Sequence, residues 1–180
     1  SNTDEAMKPY EQGGLDGLCA IYSIVNAARI VSSVSDDEAK NLFQRILEYL
    51  EQTHDLSRML TEGIGLVTIG GIFRTVVKDL IPYRSMPFKT LPNTPLDQFW
   101  NEMSRFLETD RERTILIGLG GPMWDHWSIV HEITARQIRF FDSHKLRRFN
   151  RNRCTTTRST SRRPHVLCPT HTYFLSLRPH

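Results

Sequence analysis

The sequence is poor in cysteine and contains no closely spaced cysteine pair. Three cysteines occur in 180 residues, at Cys19, Cys154 and Cys168, and no CxxC motif is present. An odd and sparse set argues against a disulfide framework and indicates a reducing compartment, although Cys154 and Cys168 could still pair in an oxidising one. Because structural zinc sites draw on paired ligands of this type, we expect no bound metal.

Long apolar runs are also lacking. No stretch approaches the roughly 18 residues that a membrane-spanning helix needs, and residues 1–8 lack the apolar core of a signal peptide. We therefore expect no membrane association, and a protein that is cytoplasmic or exported without a recognisable signal peptide. The apolar content of 39% is ordinary for a globular protein. The length predicts a single domain over residues 9–180, preceded by a flexible segment.

Acidic residues are missing from residues 145–163, which contain seven arginines and one lysine. Since the net charge of the whole chain is only +3, the remainder is mildly acidic. This asymmetry is compatible with an acidic partner that docks on the segment. No aromatic residue lies between Asn150 and Arg163 to stack on nucleobases. The alternative is a solvated basic loop over residues 143–165.

Helical periodicity is typical of the first two thirds of the chain, and strand patterns follow. Apolar residues recur at helical spacing in four segments, at about residues 15–31, 35–52, 66–80 and 94–107. Strands are predicted at residues 113–118, 126–133, 137–142 and 171–177, with a short one within 83–90. Helices that precede an antiparallel sheet indicate an α+β fold.

Cys19 follows a glycine-rich loop at the start of the first predicted helix. With Asp16 as the expected N-cap, the thiol falls in the first turn, where unpaired N–H groups favour an anion. A thiol attacks as the thiolate, so this position suits a nucleophile. The loop glycines, including Gly17, would let a substrate backbone come close. The side-chain amide of Gln12 and the backbone N–H of Cys19 are candidate oxyanion donors. The alternative is a small buried core cysteine.

A cysteine nucleophile needs a histidine that the fold brings to it. Of seven histidines, His126 is the strongest candidate, because it opens an apolar strand directly after a turn. The predicted hairpin turns near residues 134–135, which places His126 and Asp142 side by side at its open end. A carboxylate in that place would hold the imidazole in one tautomer. Asp125 and His144 are nearby alternatives to these two residues. The non-catalytic alternative is that His126 is a surface histidine and that Asp142 caps the following turn.

Together these motifs resemble the papain-like cysteine peptidase superfamily. The matching order is Gln12, Cys19, His126 and Asp142. The Asp-Gly-Leu-Cys start at residues 16–19 is similar to that of ovarian-tumour deubiquitinases. The Leu-Cys-Ala start with a later His-Trp pair resembles Josephin deubiquitinases. The late arrangement of His, two strands and Asp resembles bacterial double-glycine leader peptidases.

The resemblance implies a papain-like fold, in which a helical half with Cys19 packs on an antiparallel sheet with His126 and Asp142. It implies a peptidase or isopeptidase for a peptide or protein substrate, with His126 as base and acid, Asp142 as its orienter, Gln12 as oxyanion donor, and no organic cofactor. The superfamily also contains deamidases, transglutaminases and acyltransferases, and fold alone does not choose among them. Ala20 stands where papain has tryptophan, which leaves the subfamily open. A non-catalytic papain-like binding module is the alternative outside enzymes.

Two tryptophans flank the candidate base. Trp124 and Trp127 are candidates for the lining of a substrate groove, and Trp100 is a more distant third. Large aromatic side chains also contribute heavily to cores. Packing in the interior is therefore the alternative role for all three.

Overall fold

The computed structural model describes residues 18–53, 56–57, 59, 63–120, 126–142 and 146–180. Six residues singled out from the sequence lie outside the described residues, namely Gln12, Asp16, Gly17, Trp124, Asp125 and His144. The described part is α+β, with N-terminal helices packed on a sheet that carries the candidate base and its carboxylate partner.

Four helices and seven strands have defined bounds in the described part of the chain. The helices are α1 (Cys19–Ser32), α2 (Asp36–Thr53), α3 (Leu66–Thr75) and α4 (Leu96–Thr109). The strands are β1 (Tyr83–Ser85), β2 (Arg113–Gly120), β3 (His126–Ile133), β4 (Gln137–Phe140), β5 (Arg148–Asn150), β6 (Cys154–Thr155) and β7 (His165–Ser176). A short 3₁₀ helix, Arg151–Arg153, connects β5 to β6.

The strands form one sheet in the order β1-β7-β2-β3-β4-β5, and β6 pairs with β7 outside this path. Every pairing is antiparallel except the short β6–β7 contact. In the β3–β4 hairpin, Val130 pairs with Phe140 and Ile133 with Ile138. The open end of this hairpin therefore lies at the start of β3 and just beyond β4.

Hydrophobic residues cover both faces of the sheet. On one face, Leu116 and Ile129 pack with the apolar sides of α1, α2 and α3. On the other face, Ile115 and Val130 pack with α4. Successive strand residues point to opposite faces, so a strand buried on both sides carries a nearly continuous apolar sequence. This explains the run Thr-Ile-Leu-Ile-Gly-Leu in β2.

The start of α2 follows directly from its sequence. Ser35 Oγ accepts a hydrogen bond from the backbone N–H of Glu38 at 3.2 Å, as an N-cap serine does. Asp36, Asp37 and Glu38 place three carboxylates in the first turn, where the positive end of the helix dipole favours them. The predicted helix start at this point is confirmed.

The predicted ends of two elements are corrected. Helix α3 ends at Thr75 rather than near residue 80, and residues 76–81 form turns. Two backbone carbonyls of these turns accept hydrogen bonds from side chains of α1 and α2. Arg45 Nη2 donates to the Val76 carbonyl at 3.1 Å, and the Ser32 hydroxyl donates to that of Leu80. Strand β4 ends at Phe140, so Asp142 lies two residues beyond the strand that was expected to contain it.

The basic segment is more ordered than the predicted loop over residues 143–165. Its described part contains β5, the 3₁₀ helix and β6. Phe149 and Cys154 supply its anchors, because both are buried in the core on the α4 side of the sheet. Arg148 and Asn150 alternate with Phe149 and stay exposed, which is the pattern of a half-buried strand.

Among the residues that the structure describes, no helix combines the length and apolar content that crossing a bilayer requires.

Candidate functional site

His126 and Asp142 meet at the open end of the β3–β4 hairpin. His126 Nε2 lies 2.7 Å from Asp142 Oδ1, a short distance typical of a hydrogen bond with an ionised partner. The two side chains are 7% and 0% exposed. The neighbouring ladder pair Val130–Phe140 sets the register that brings them together. Low exposure strengthens their interaction, because little water screens it.

Asp142 is held from three directions. Its Oδ1 also accepts a hydrogen bond from the hydroxyl of Ser128, and its Oδ2 accepts one from the backbone N–H of Leu146 at 3.2 Å. A carboxylate that accepts several donors is stabilised in its ionised form. Asp142 therefore presents a fixed negative charge to His126.

Cys19 is the first residue of α1 and is 7% exposed. Its side chain lies beside the ring of His126, where it contributes to the raised pKa of the imidazole. Because Nε2 of His126 faces Asp142, the ring nitrogen that remains for the sulfur is Nδ1. The order of groups is therefore thiol, imidazole and carboxylate, with one imidazole nitrogen for each neighbour.

A second contact fixes α1 against β3. The Ser23 hydroxyl donates to the backbone carbonyl of Trp127 at 3.0 Å. Ser23 lies one helical turn after Cys19, on the same side of α1, and Trp127 directly follows His126. The hydrogen bond therefore ties the element that carries the thiol to the element that carries the imidazole.

The surroundings of His126 change its acidity. Burial lowers the pKa of the imidazole, but the hydrogen bonds and charges of Asp142 and Cys19 together raise it, and the net result is a pKa of about 9. An ordinary histidine has a pKa near 6.5. At neutral pH the ring of His126 is therefore an imidazolium.

Trp127 packs next to the candidate site. Its indole Nε1–H donates to the Ile64 carbonyl at 3.0 Å, and its ring centroid lies 6.0 Å from that of His171. The ring is half-buried and packs against the helical layer. Trp100 is 1% exposed within the other core, where its Nε1–H donates to the Thr134 carbonyl. Trp100 is thus a core residue and is excluded from a substrate groove.

Of the residues predicted for the site, the structure brings Cys19, His126 and Asp142 together. Gln12, Gly17 and Trp124 lie outside the described residues, so their predicted contacts with substrate stay predictions. The predicted Asp16 N-cap is outside them as well, and Leu18 occupies the N-cap position without a side-chain cap.

Sequence reasoning missed two serines that organise the site. Ser23 and Ser128 are both fully buried. A signal for Ser23 was present, because Cys19, Ser23 and Asn26 recur at i, i+4 and i+7 on an otherwise apolar helix. A signal for Ser128 was present too, since it lies two residues after His126 and therefore on the same face of β3.

The grouping of Cys19, His126 and Asp142 suits catalysis by a nucleophilic thiol. No group of three or more His, Cys, Asp or Glu side chains that could hold an ion occurs among the described residues. An imidazole beside a thiol can take up the proton of that thiol and later return it to a leaving group.

No protein-family model, curated protein or solved structure matches the chain.

Proposed function

We propose that the chain is a thiol hydrolase of the papain-like kind, which cleaves a peptide or isopeptide bond through Cys19, His126 and Asp142. The observation that carries this proposal is the adjacency of the three groups. The thiol of Cys19 lies beside the ring of His126, and Nε2 of that ring lies 2.7 Å from Asp142 Oδ1. A nucleophile, a base and an orienting carboxylate in contact are the diagnostic features of this chemistry.

The charge state of the site supports the same chemistry. A pKa of about 9 keeps His126 protonated at neutral pH, and an adjacent imidazolium favours the thiolate. The start of α1 adds the partial positive charge of a helix N-terminus at Cys19. A thiolate is a far better nucleophile than a thiol, so both features favour attack.

In the first half of the proposed reaction, the Cys19 sulfur bonds to the substrate carbonyl carbon, and the carbonyl electron pair moves to oxygen. The backbone N–H of Cys19 lies at the helix start, where N–H groups lack intrahelical partners, and it is our candidate donor to that oxyanion. Collapse of the intermediate breaks the C–N bond. The His126 imidazolium gives its proton to the departing amine, which leaves a thioester.

In the second half, neutral His126 takes a proton from water, and the resulting hydroxide attacks the thioester carbonyl. The C–S bond breaks, the sulfur departs as thiolate, and His126 is again an imidazolium. Asp142 stays ionised throughout and holds Nε2–H, so the same ring nitrogen always faces the sulfur. No metal or organic cofactor takes part in these steps.

A peptide electrophile tests this proposal. We would treat the protein with a panel of peptide vinyl methyl esters, which alkylate only an activated thiol, and map the modified residue by mass spectrometry. The proposal expects adducts on Cys19 that disappear in His126→Ala and in Cys19→Ala. Adducts on Cys168, or adducts that persist in His126→Ala at the same rate, would overturn it.

The peptides of the electrophiles that react then serve as templates for substrates. New N-termini in a substrate protein would identify peptide-bond cleavage. Ammonia release without chain cleavage would instead identify the reaction as glutamine deamidation.

A further inference from the structure

We propose that a second site, separate from Cys19, binds an acidic peptide segment in a groove at the closed end of the β3–β4 hairpin. The groove has a volume of about 550 Å³, within the usual range for ligand sites. We call it the arginine groove. Three guanidinium groups and three carboxamides line it, from Arg136, Arg151, Arg163, Gln137, Asn150 and Asn152. None of the described residues that line it is acidic.

The first arginine of the groove is held in place before any ligand arrives. Arg151 Nη1 donates to the Ala135 carbonyl at 3.3 Å, and its guanidinium lies 5.1 Å from the ring centroid of Trp100. Its Nη2 pairs with Asp97 at 2.7 Å. A preorganised guanidinium loses little conformational freedom on binding an anion.

The second arginine is held by neutral acceptors. Arg163 Nη1 donates to the carbonyls of Cys154 at 2.7 Å and Arg151 at 3.3 Å. Carbonyl oxygens orient this guanidinium but leave its charge uncancelled. Asp97, whose side chain is 82% exposed, offsets one of the three positive charges of the groove. A ligand therefore meets a net positive surface with fixed donors.

The third arginine lies on a rigid turn. Arg136 is exposed at the tip of the hairpin, and its carbonyl accepts a hydrogen bond from the backbone N–H of Arg151 at 2.7 Å. Thr134 closes the turn, because its hydroxyl accepts a hydrogen bond from the backbone N–H of Gln137 at 3.0 Å. The turn thus fixes the backbone of Arg136 relative to the other two arginines.

The chemistry of the lining favours a peptide. Guanidinium groups bind carboxylates in a two-pronged geometry, and carboxamides can both donate to and accept from a peptide backbone. No aromatic side chain is among the described lining residues, whereas single-stranded nucleic acids usually stack their bases on aromatics. An Asp- or Glu-rich segment of a partner or substrate protein fits this set of groups.

The groove lies away from the candidate nucleophile. Strand β3 runs over eight residues from His126 to Ile133, which separates its two ends by roughly 23 Å. The arginine groove therefore acts by holding a protein rather than by chemistry. Its binding does not require the proposed function, because no group of the groove touches the thiol.

A direct binding measurement tests this inference. Fluorescein-labelled hexaglutamate would be titrated with the full chain carrying Cys19→Ala, and its anisotropy followed at low and at moderate salt. We expect saturable binding that weakens with salt, because the groove and peptide have opposite charges. Arg136→Glu should weaken it by at least about fivefold, since it reverses one of three charges, and Arg136→Lys should retain most of it. Arg136 is the residue to change because Arg151 and Arg163 also hold backbone carbonyls.

The matched control is Lys89→Glu, which makes the same change of net charge at an exposed residue that follows β1, on the other edge of the sheet from β5. It should alter the affinity by less than about twofold. Equal weakening by Arg136→Glu and Lys89→Glu, or no binding at all, would overturn the inference. Tighter, Arg136-dependent binding of tripolyphosphate or of an oligothymidylate would replace the acidic peptide with a phosphate ligand and overturn it too. Loss of Cys19 reactivity alone would leave the groove unaffected and would count only against the proposed hydrolase.

Discussion

The hydroxyl of Ser23 donates to the backbone carbonyl of Trp127 at 3.0 Å, one helical turn after Cys19 and one residue after His126. This contact joins α1 to β3 at the place where the thiol and the imidazole meet. The relative position of the two groups therefore depends on a buried side chain that belongs to neither of them.

Removal of this hydroxyl should affect both stability and reactivity. Ser23→Ala leaves the Trp127 carbonyl without its donor and should lower the free energy of unfolding by about 1–2 kcal/mol. It should also slow alkylation of Cys19, because α1 can then shift along β3. Urea unfolding and mapped iodoacetamide labelling measure the two effects. The control is Ser104→Ala, whose hydroxyl donates only to Glu108 at the surface of α4. Equal behaviour of the two variants would contradict this role.

Asp142→Asn is expected to be disruptive despite its similar size. Oδ1 of Asp142 accepts from His126 and Ser128, while Oδ2 accepts from the Leu146 N–H. An asparagine has only one oxygen, so either orientation turns its NH₂ towards another donor. We expect a loss of about 2–3 kcal/mol of stability and a lower pKa of His126.

The titration of His126 in Asp142→Asn can be followed by proton NMR of its ring. Ser128→Ala serves as the comparison, because it removes one donor but keeps the carboxylate, and the pKa of His126 should then stay above its ordinary value. A pKa of His126 that is the same in Asp142→Asn and in the wild type would contradict the assigned charge pair.

The raised pKa of His126 predicts a specific dependence of stability on pH. Its value is about 9 in the folded protein and about 6.5 in an unfolded chain, so folding favours the protonated ring. The stabilisation by this group is complete below about pH 6.5 and is lost as the pH rises through about 9. The difference in unfolding free energy between the wild type and His126→Ala should therefore shrink between these values. A difference that grows with pH would have the wrong sign.

Gly118 has a packing role that predicts its intolerance of a side chain. A Cβ there would lie 2.9 Å from the Cβ and 3.4 Å from the carbonyl oxygen of His171, where β2 and β7 shift register. Gly118→Ala should cost about 1–3 kcal/mol through overpacking. Gly70→Ala is the matched control, since its Cβ would meet the end of the flexible Arg74 side chain at 3.1 Å. Thermal unfolding of both variants measures the difference, and Gly118→Ala should melt at the lower temperature. Equal melting temperatures of the two variants would contradict the prediction.

The sequence predicted the parts of the fold that depend on local pattern. The α+β class, the start of α2 and the full extent of β3 follow from capping residues and apolar periodicity, and all three agree with the structure. The symmetry of His126 and Asp142 about the hairpin turn predicted their proximity, because antiparallel pairing relates residues on the two sides of a turn.

Other features depend on contacts between distant residues and were missed. Beyond the end of α3, the backbone carbonyls of Val76 and Leu80 accept hydrogen bonds from Arg45 and Ser32. These two donors lie 31 and 48 residues away in the sequence. The strand β5 is anchored by Phe149 in a core that α4 supplies. Because residues 145–163 are rich in arginine, the alternation of buried Phe149 with exposed neighbours was not recognised as a strand. The sequence places Ser23 on the face of Cys19 and Ser128 on the face of His126, but their hydrogen-bond partners depend on the tertiary packing.

The most direct test of the central claim is alkylation of the native protein with iodoacetamide between about pH 5 and pH 9, with site mapping. We expect fast labelling of Cys19 already near about pH 6, because the imidazolium of His126 favours the reactive thiolate. Cys154 is the internal reference, since burial raises the pKa of its thiol to about 12 and its side chain is 0% exposed.

His126→Ala should abolish the fast labelling at low pH, while His131→Ala, which removes an exposed histidine of the same strand, should leave it unchanged. If Cys19 labels no faster than Cys168 at any pH, or if His126→Ala has no effect on its rate, then Cys19 is a core residue and the proposed hydrolase is wrong.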